Sequence, residues 1–148
     1  MSKHIVIVDI DGTISKVGER LKYLQQEPKD WDSFYNDCFQ DEPIKDVVDL
    51  VKAIQSKYFT IFCTGRRESV RLKTEIWLHK QDLLLGYYQL LMRKDGDHRH
   101  DTEVKPELLE EYGINLNDIA FVLEDRNSMV EKWRELGLIC LQVAEGDF

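Results

Sequence analysis

Short apolar runs alternate with amphipathic stretches along this chain. His4-Ile-Val-Ile-Val8 is almost continuously apolar, the mark of a strand buried on both faces. Runs at Tyr58 to Cys63, Gln89 to Met92, Ile119 to Leu123 and Leu138 to Val143 predict further strands. Between the runs the period changes. Ile44, Val47, Val48, Val51 and Ile54 share one helical face behind Pro43. Val70, Thr74 and Trp77 predict a second helix. Lys105 to Tyr112 predicts a third, with Pro106 near its start and Gly113 as its stop. Met129, Val130, Trp133 and Leu136 predict a fourth, ended by Gly137. Strands alternating with helices predict an α/β fold, a Rossmann-like three-layer sandwich around a parallel sheet of about five strands.

Parallel sheets of this kind carry their sites at the carboxyl ends of strands. Asp9-Ile-Asp-Gly-Thr13 follows the first run, Thr64-Gly-Arg66 the second and Glu124-Asp125 the fourth. Three polar clusters thus fall on one sheet edge. Residues 14–42 do not fit the alternation. They carry Tyr23, Trp31, Phe34, Tyr35 and Phe39, and Asp30 is placed to cap a short helix from Trp31 to Phe39. The segment reads as a small helical cap over the strand ends, or else as aromatics packing the domain's own surface.

A chain of 148 residues suits one domain, residues 1–148, with that insert inside it. It has 43% hydrophobic and 32% charged residues, ordinary for a globular protein. The start lacks the apolar block of a signal peptide, and no run approaches the ~18 apolar residues of a membrane span. The expectation is a cytoplasmic protein without membrane partners. A net charge of -8 argues against holding nucleic acid by bulk attraction, though not against a local basic pocket for a strand end. Cys38, Cys63 and Cys140 are scattered without metal-ligand spacing and read as reduced thiols.

Asp9 and Asp11 carry the strongest chemical signal. Two carboxylates at the end of a buried strand are expensive to place. In strand geometry they point to opposite faces, so the backbone must bend after the strand, and Gly12 permits that. Such a pair suits phosphoryl transfer. One acid attacks phosphorus and becomes an acyl phosphate. The other protonates the leaving oxygen and then activates water. Two acids beside a dianionic phosphate repel it, so a cation is required, and Mg²⁺ suits hard oxygen ligands.

Val8-Asp-Ile-Asp-Gly-Thr13 resembles the first motif of the haloacid dehalogenase superfamily. That resemblance implies Asp9 as nucleophile and Asp11 as acid and base. It also implies a phosphate site at Thr64, with the N–H groups from Gly65 onward, and Lys105 as the motif III cation. Metal ligands would be Asp9, the backbone carbonyl of Asp11, and Asp125. Glu124 stands where the family usually has aspartate, and acts through water or by holding Lys105. The whole chain resembles, more narrowly, the phosphatase domain of phage and bacterial polynucleotide kinase/3'-phosphatases. Thr64 to Ser69, Met92 to Asp97, Val104-Lys105, Glu124 to Arg126, Trp133-Arg134 and Gln142 to Phe148 carry the likeness. It implies that Arg66 contacts the phosphate region. No Gly-x-x-x-x-Gly-Lys-Ser/Thr loop occurs, which predicts no 5'-kinase activity.

The stretch from Met92 to Lys105 has two readings. Arg93 and Arg99 touch substrate phosphates, or the loop pairs its cations with Asp95, Asp97, Asp101 and Glu103. His98 and His100 lack a third ligand for zinc. Function also has alternatives: a polynucleotide 3'-phosphatase, a nucleotide or metabolite phosphatase, or a phosphate-binding module without turnover. A separate kinase or ligase is a possible partner of the first. Oligomeric state is not legible.

Overall fold

The computed structural model describes residues 3–83, 86 and 89–148. Five strands, β1 (Ile5–Val8), β2 (Phe59–Arg67), β3 (Leu90–Arg93), β4 (Ile119–Arg126) and β5 (Cys140–Gly146), form one parallel sheet. Their order is β3-β2-β1-β4-β5, with the first strand in the middle. Helices α1 (Trp31–Asn36), α2 (Lys45–Gln55), α3 (Arg71–Lys80), α4 (Asp101–Glu111) and α5 (Asn127–Glu135) lie between them in sequence.

The alternation along β1 divides the core. Ile5 and Ile7 pack with Val104, Leu108 and Leu109 of α4 and Met129, Val130 and Trp133 of α5. Val6 and Val8 pack with Val48 and Val51 of α2 and Trp77 and Leu78 of α3. The fold is therefore the expected three-layer α/β sandwich. A strand covered on both faces has no polar side, which is why its sequence shows a run and not an alternation. Among the described residues no helix is long and apolar enough to cross a membrane.

Several boundaries differ from the sequence expectation. α4 starts at Asp101 and not at Lys105, because the His100 ring nitrogen accepts from the Thr102 N–H (3.2 Å) and caps it. Lys105 thus sits a turn inside the helix. β2 and β4 also outrun their apolar stretches, continuing through Thr64 to Arg67 and Glu124 to Arg126. Register shifts against β3 and β5 absorb the extra residues. In the insert, Asp30 accepts from the Ser33 N–H (3.0 Å) and caps α1, and Asp37–Gln40 continues as a 3-10 turn. A second 3-10 helix spans Gly18–Leu24.

The centre of the sheet is the most buried part of the molecule. Leu123 of β4 is 1% exposed and directly precedes Glu124 and Asp125. Leu123→Ala is expected to lower stability by about 2–5 kcal/mol, read from the urea midpoint at unchanged m-value.

Candidate active site

β1 ends at the middle of the sheet, so the next residue meets both neighbours' strand ends. The Asp9 N–H donates to the Leu123 carbonyl (3.0 Å), and Asp9 is the last residue held by the sheet. The chain then folds back, with the N–H groups of Thr13, Ile14 and Ser15 converging on the Ile10 carbonyl. Gly12 makes this turn at φ +84°. A Cβ there would stand 2.1 Å from an Asp125 carboxylate oxygen, so only glycine fits on both counts.

Asp9 is buried and held on both oxygens. Lys105 Nζ donates to Oδ1 (2.8 Å) and Thr13 Oγ1 lies 3.0 Å from Oδ2. The Thr13 hydroxyl is also 3.1 Å from Asp125 Oδ1, so it spans the two acids. Lys105 reaches Glu124 Oε2 as well (3.1 Å). Burial works against the lysine charge, yet Asp9 and Glu124 hold its ammonium well above the ordinary value. Glu124 accepts in addition from its neighbour's Asp125 N–H (3.2 Å) and lies 3.4 Å from Trp133 Nε1.

Carboxylate oxygens of Asp9, Glu124 and Asp125 lie within 4.8 Å of one another, all buried. Lys105 balances only part of that charge. Burial, then the Asp9 charge, push Glu124 well above its ordinary value and Asp125 up to about 7. Hard oxygen donors with surplus negative charge fit a divalent cation such as Mg²⁺. The partners separate the two motif IV acids. Glu124 is taken up by Lys105, Trp133 and a backbone N–H, whereas the Asp125 carboxyl faces Asp9 and has its Oδ1 at the Thr13 hydroxyl.

Asp11 has different company. Arg20 from the insert and Arg66 from β2 both donate to Asp11 Oδ1 at 2.7 Å. Asp41, also nearly buried, completes the group. It accepts from Arg20 Nε (2.8 Å), from Ser15 Oγ (2.6 Å) and, through its backbone oxygen, from Trp77 Nε1 (2.7 Å). Burial alone would raise Asp11, but the charges of Arg66 and Arg20 outweigh it and bring the carboxyl down to about 2.

The three arginines expected at the phosphate are all held by groups of the protein. Arg66 is fully buried and its guanidinium donates to Asp11 and to Thr74 Oγ1 (3.1 Å). Arg93 donates to the carbonyls of Gly65 (2.9 Å), Asp97 (3.1 Å) and Arg99 (2.5 Å) and to the Asp101 carboxylate. Arg99 pairs with Asp97 (2.8 Å) and Glu107 (2.6 Å). Arg93 and Arg99 also belong to the lining of the cavity that Asp9 borders. Thr64 lies buried at the end of β2's apolar run, with its Oγ1 accepting from the Arg66 N–H (3.1 Å). Gly65 passes so close to Asp101 that a Cβ would meet its Oδ1 at 2.5 Å.

Residues missed in the sequence are Arg20, Asp41, Asp101 and Arg126. Asp101 accepts from both Arg93 and Arg126 Nη1 (3.1 Å). A buried arginine has no local sequence signature. The one available clue was Arg20 and Asp41 flanking an aromatic-rich segment. Over the acids lies a cavity of about 500 Å³. Asp9, Asp11, Thr64, Gly65 and Lys105 form part of its lining, with Leu21, Leu24, Trp31, Phe34 and Tyr35 contributed by the insert.

Residues 3–148 match the family model of the polynucleotide kinase PNKP phosphatase domain. A chain from the Pnkp1/Rnl/Hen1 complex superposes with a TM-score of 0.77 at 36% identity, over 99% of this chain and 48% of that one. A chain from the Pnkp1/Rnl/Hen1 RNA repair complex gives 0.79 at 35%, over 98% and 44%. The chain thus spans about half the length of these relatives. The class C acid phosphatase from Bacillus anthracis shares the fold at 19% identity, with a TM-score of 0.64 over 87% of this chain and 54% of that one.

The Asp11 pairing sets a pH dependence. Its carboxyl lies at about 2 in the folded protein against 3.8 normally, so the pairing stabilises the fold above about pH 4 and is lost as pH falls toward 2. Wild type is expected to melt above Asp11→Asn at pH 6, with the gap closing between pH 4 and pH 2 in thermal melts.

Proposed function

We propose, from the premise that the chain belongs to the PNKP phosphatase-domain family of haloacid dehalogenase phosphatases, that it removes the 3'-phosphate from nucleic-acid ends. One observation carries this reading. Buried Asp9, fixed by Lys105 and Thr13, lies on the lining of a cavity that also has an apolar, aromatic part. A phosphoryl group suits the polar end and a nucleoside the apolar one.

Asp9 Oδ attacks phosphorus in line, and the bond from phosphorus to the 3'-oxygen breaks. Asp11 gives that oxygen its proton, leaving a 3'-hydroxyl and an aspartyl phosphate on Asp9. Water then attacks the aspartyl phosphate, Asp11 takes the water's proton, and phosphate departs. The resting Asp11 is ionised. An arriving phosphate dianion beside it opposes Arg20 and Arg66 and raises its affinity for the proton it must donate. Lys105 offsets negative charge between Asp9 and the phosphoryl oxygens, and the Thr64 hydroxyl with the Gly65 N–H receives one of them. Asp9, Asp125 and the Asp11 backbone carbonyl would hold Mg²⁺, while Glu124 positions Lys105. Bound there, the cation supplies charge neutralisation for phosphate and nucleophile.

The insert over residues 14–42 acts as the cap in this reading, and the protein works in the cytoplasm. One relative comes from an RNA repair complex, which makes a ligase a plausible companion here. A second reading, a nucleotide or metabolite phosphatase, is favoured by the insert's apolar part of the cavity lining.

Phosphate release from a 3'-phosphorylated oligonucleotide is expected to outpace release from mononucleotides and to need Mg²⁺. Faster release from mononucleotides would move the protein to the second reading. Asp9→Asn is expected to lower kcat by at least about 10³-fold in the same assay. Turnover near wild type in that variant would remove Asp9 from the nucleophile's role. Mg²⁺ is also expected to raise the melting temperature of the wild type, and a chelator to reverse the rise.

A further inference from the structure

The segment after Cys140 has no part in the chemistry above, yet it is built onto the site. Gln142 Nε2 donates to the Asp125 carbonyl (3.0 Å) and to Asn127 Oδ1 (2.6 Å). Gly146 then crosses the Asp125 backbone. A Cβ there would stand 2.7 Å from the Asp125 carbonyl oxygen and 2.9 Å from the Phe148 ring. This crossing brings Phe148 to the cavity that holds Asp9. Arg126 fixes it there. Its Nε donates to the Phe148 carbonyl (2.7 Å), its guanidinium lies 5.2 Å from the ring centroid, and its Nη1 is anchored on Asp101 (3.1 Å).

The ring itself is left in water, 68% exposed. Its place on the lining of the Asp9 cavity sets it apart from Leu72, which is equally exposed but does not border that cavity. Trp31, the insert's exposed aromatic in the same cavity, is already stacked on Tyr35 (5.9 Å, 25°). Phe148 has the Arg126 guanidinium against it and, among the described residues, no stacked aromatic ring. A flat, polarisable group attached to a phosphate is what such a ring takes, and a nucleobase meets that description.

We infer that Phe148 stacks against the base of the 3'-terminal nucleotide while the phosphate lies at Asp9. This rests on the 3'-phosphatase reading and adds to it the element that senses the base. Phe148 contributes to substrate binding and not to bond breaking. Arg126 is the positioning residue that aims it.

The test compares two 3'-phosphorylated oligonucleotides that differ only in the terminal residue, one with a base and one with a tetrahydrofuran abasic unit. Phe148→Ala is expected to raise KM for the base-bearing end about tenfold, the order of one base stacked on an aromatic ring, at unchanged kcat. The abasic end is expected to show no such change, and Phe148→Tyr to restore wild-type KM. Equal losses on both ends would show that Phe148 acts only through Arg126 and Asp125 and would overturn the inference. Equal KM values of wild type for both ends would do the same, with the 3'-phosphatase reading intact. Wild type releasing phosphate from neither end would remove that reading and this inference together.

Discussion

The ammonium of Lys105 is the charge on which the catalytic edge depends. It is 2% exposed and lies between Asp9 and Glu124. A buried carboxylate without a partner is among the most unfavourable things a protein can hold, and here three crowd together. The lysine makes the arrangement tolerable without neutralising it fully. What it leaves over is the attraction for a cation. The three acids thus keep a surplus of negative charge, the arrangement that fits a divalent cation.

Asp11 follows a separate logic. Arg20, Arg66 and Asp41 form a balanced group around it, two cations and two anions. Its members come from the insert, from β2 and from the segment before α2. The insert therefore does more than cover the cavity. Through Arg20 it sets the electrostatic environment of the group assigned to proton transfer. Aromatic contacts reinforce the link, since the Arg20 guanidinium also lies 4.5 Å from the Phe34 ring centroid.

Much of this was legible in the sequence because a parallel sheet writes its strands as apolar runs. His4 to Val8 marked the central strand, and the polar residues after three runs marked the site. Local rules also placed the Gly12 bend and the Asp30 cap. Strand ends were misplaced at Arg67 and Arg126, since hydrogen bonding carries the sheet past the last apolar residue. The start of α4 was missed because a histidine, an uncommon cap, closes it. Arginine roles were the least legible. Arg66 was read as a phosphate contact from the family resemblance, and Arg93 and Arg99 as either phosphate contacts or members of a self-paired loop. Their carboxylate and carbonyl partners were not visible in the sequence, and for Arg66 the partner lies 55 positions away. Pairings over that distance exist only once the chain has folded.

The middle position of β1 has a last consequence, for synthesis. Asp9 leaves the ribosome early, but its partners Lys105 and Asp125 stand 96 and 116 positions downstream of it. The β4 side of the central strand is empty until most of the chain has been translated. A nascent polypeptide therefore carries Asp9 before the Lys105 ammonium that pairs with it. The cluster of Asp9, Glu124 and Asp125 forms only when β4 has paired with β1.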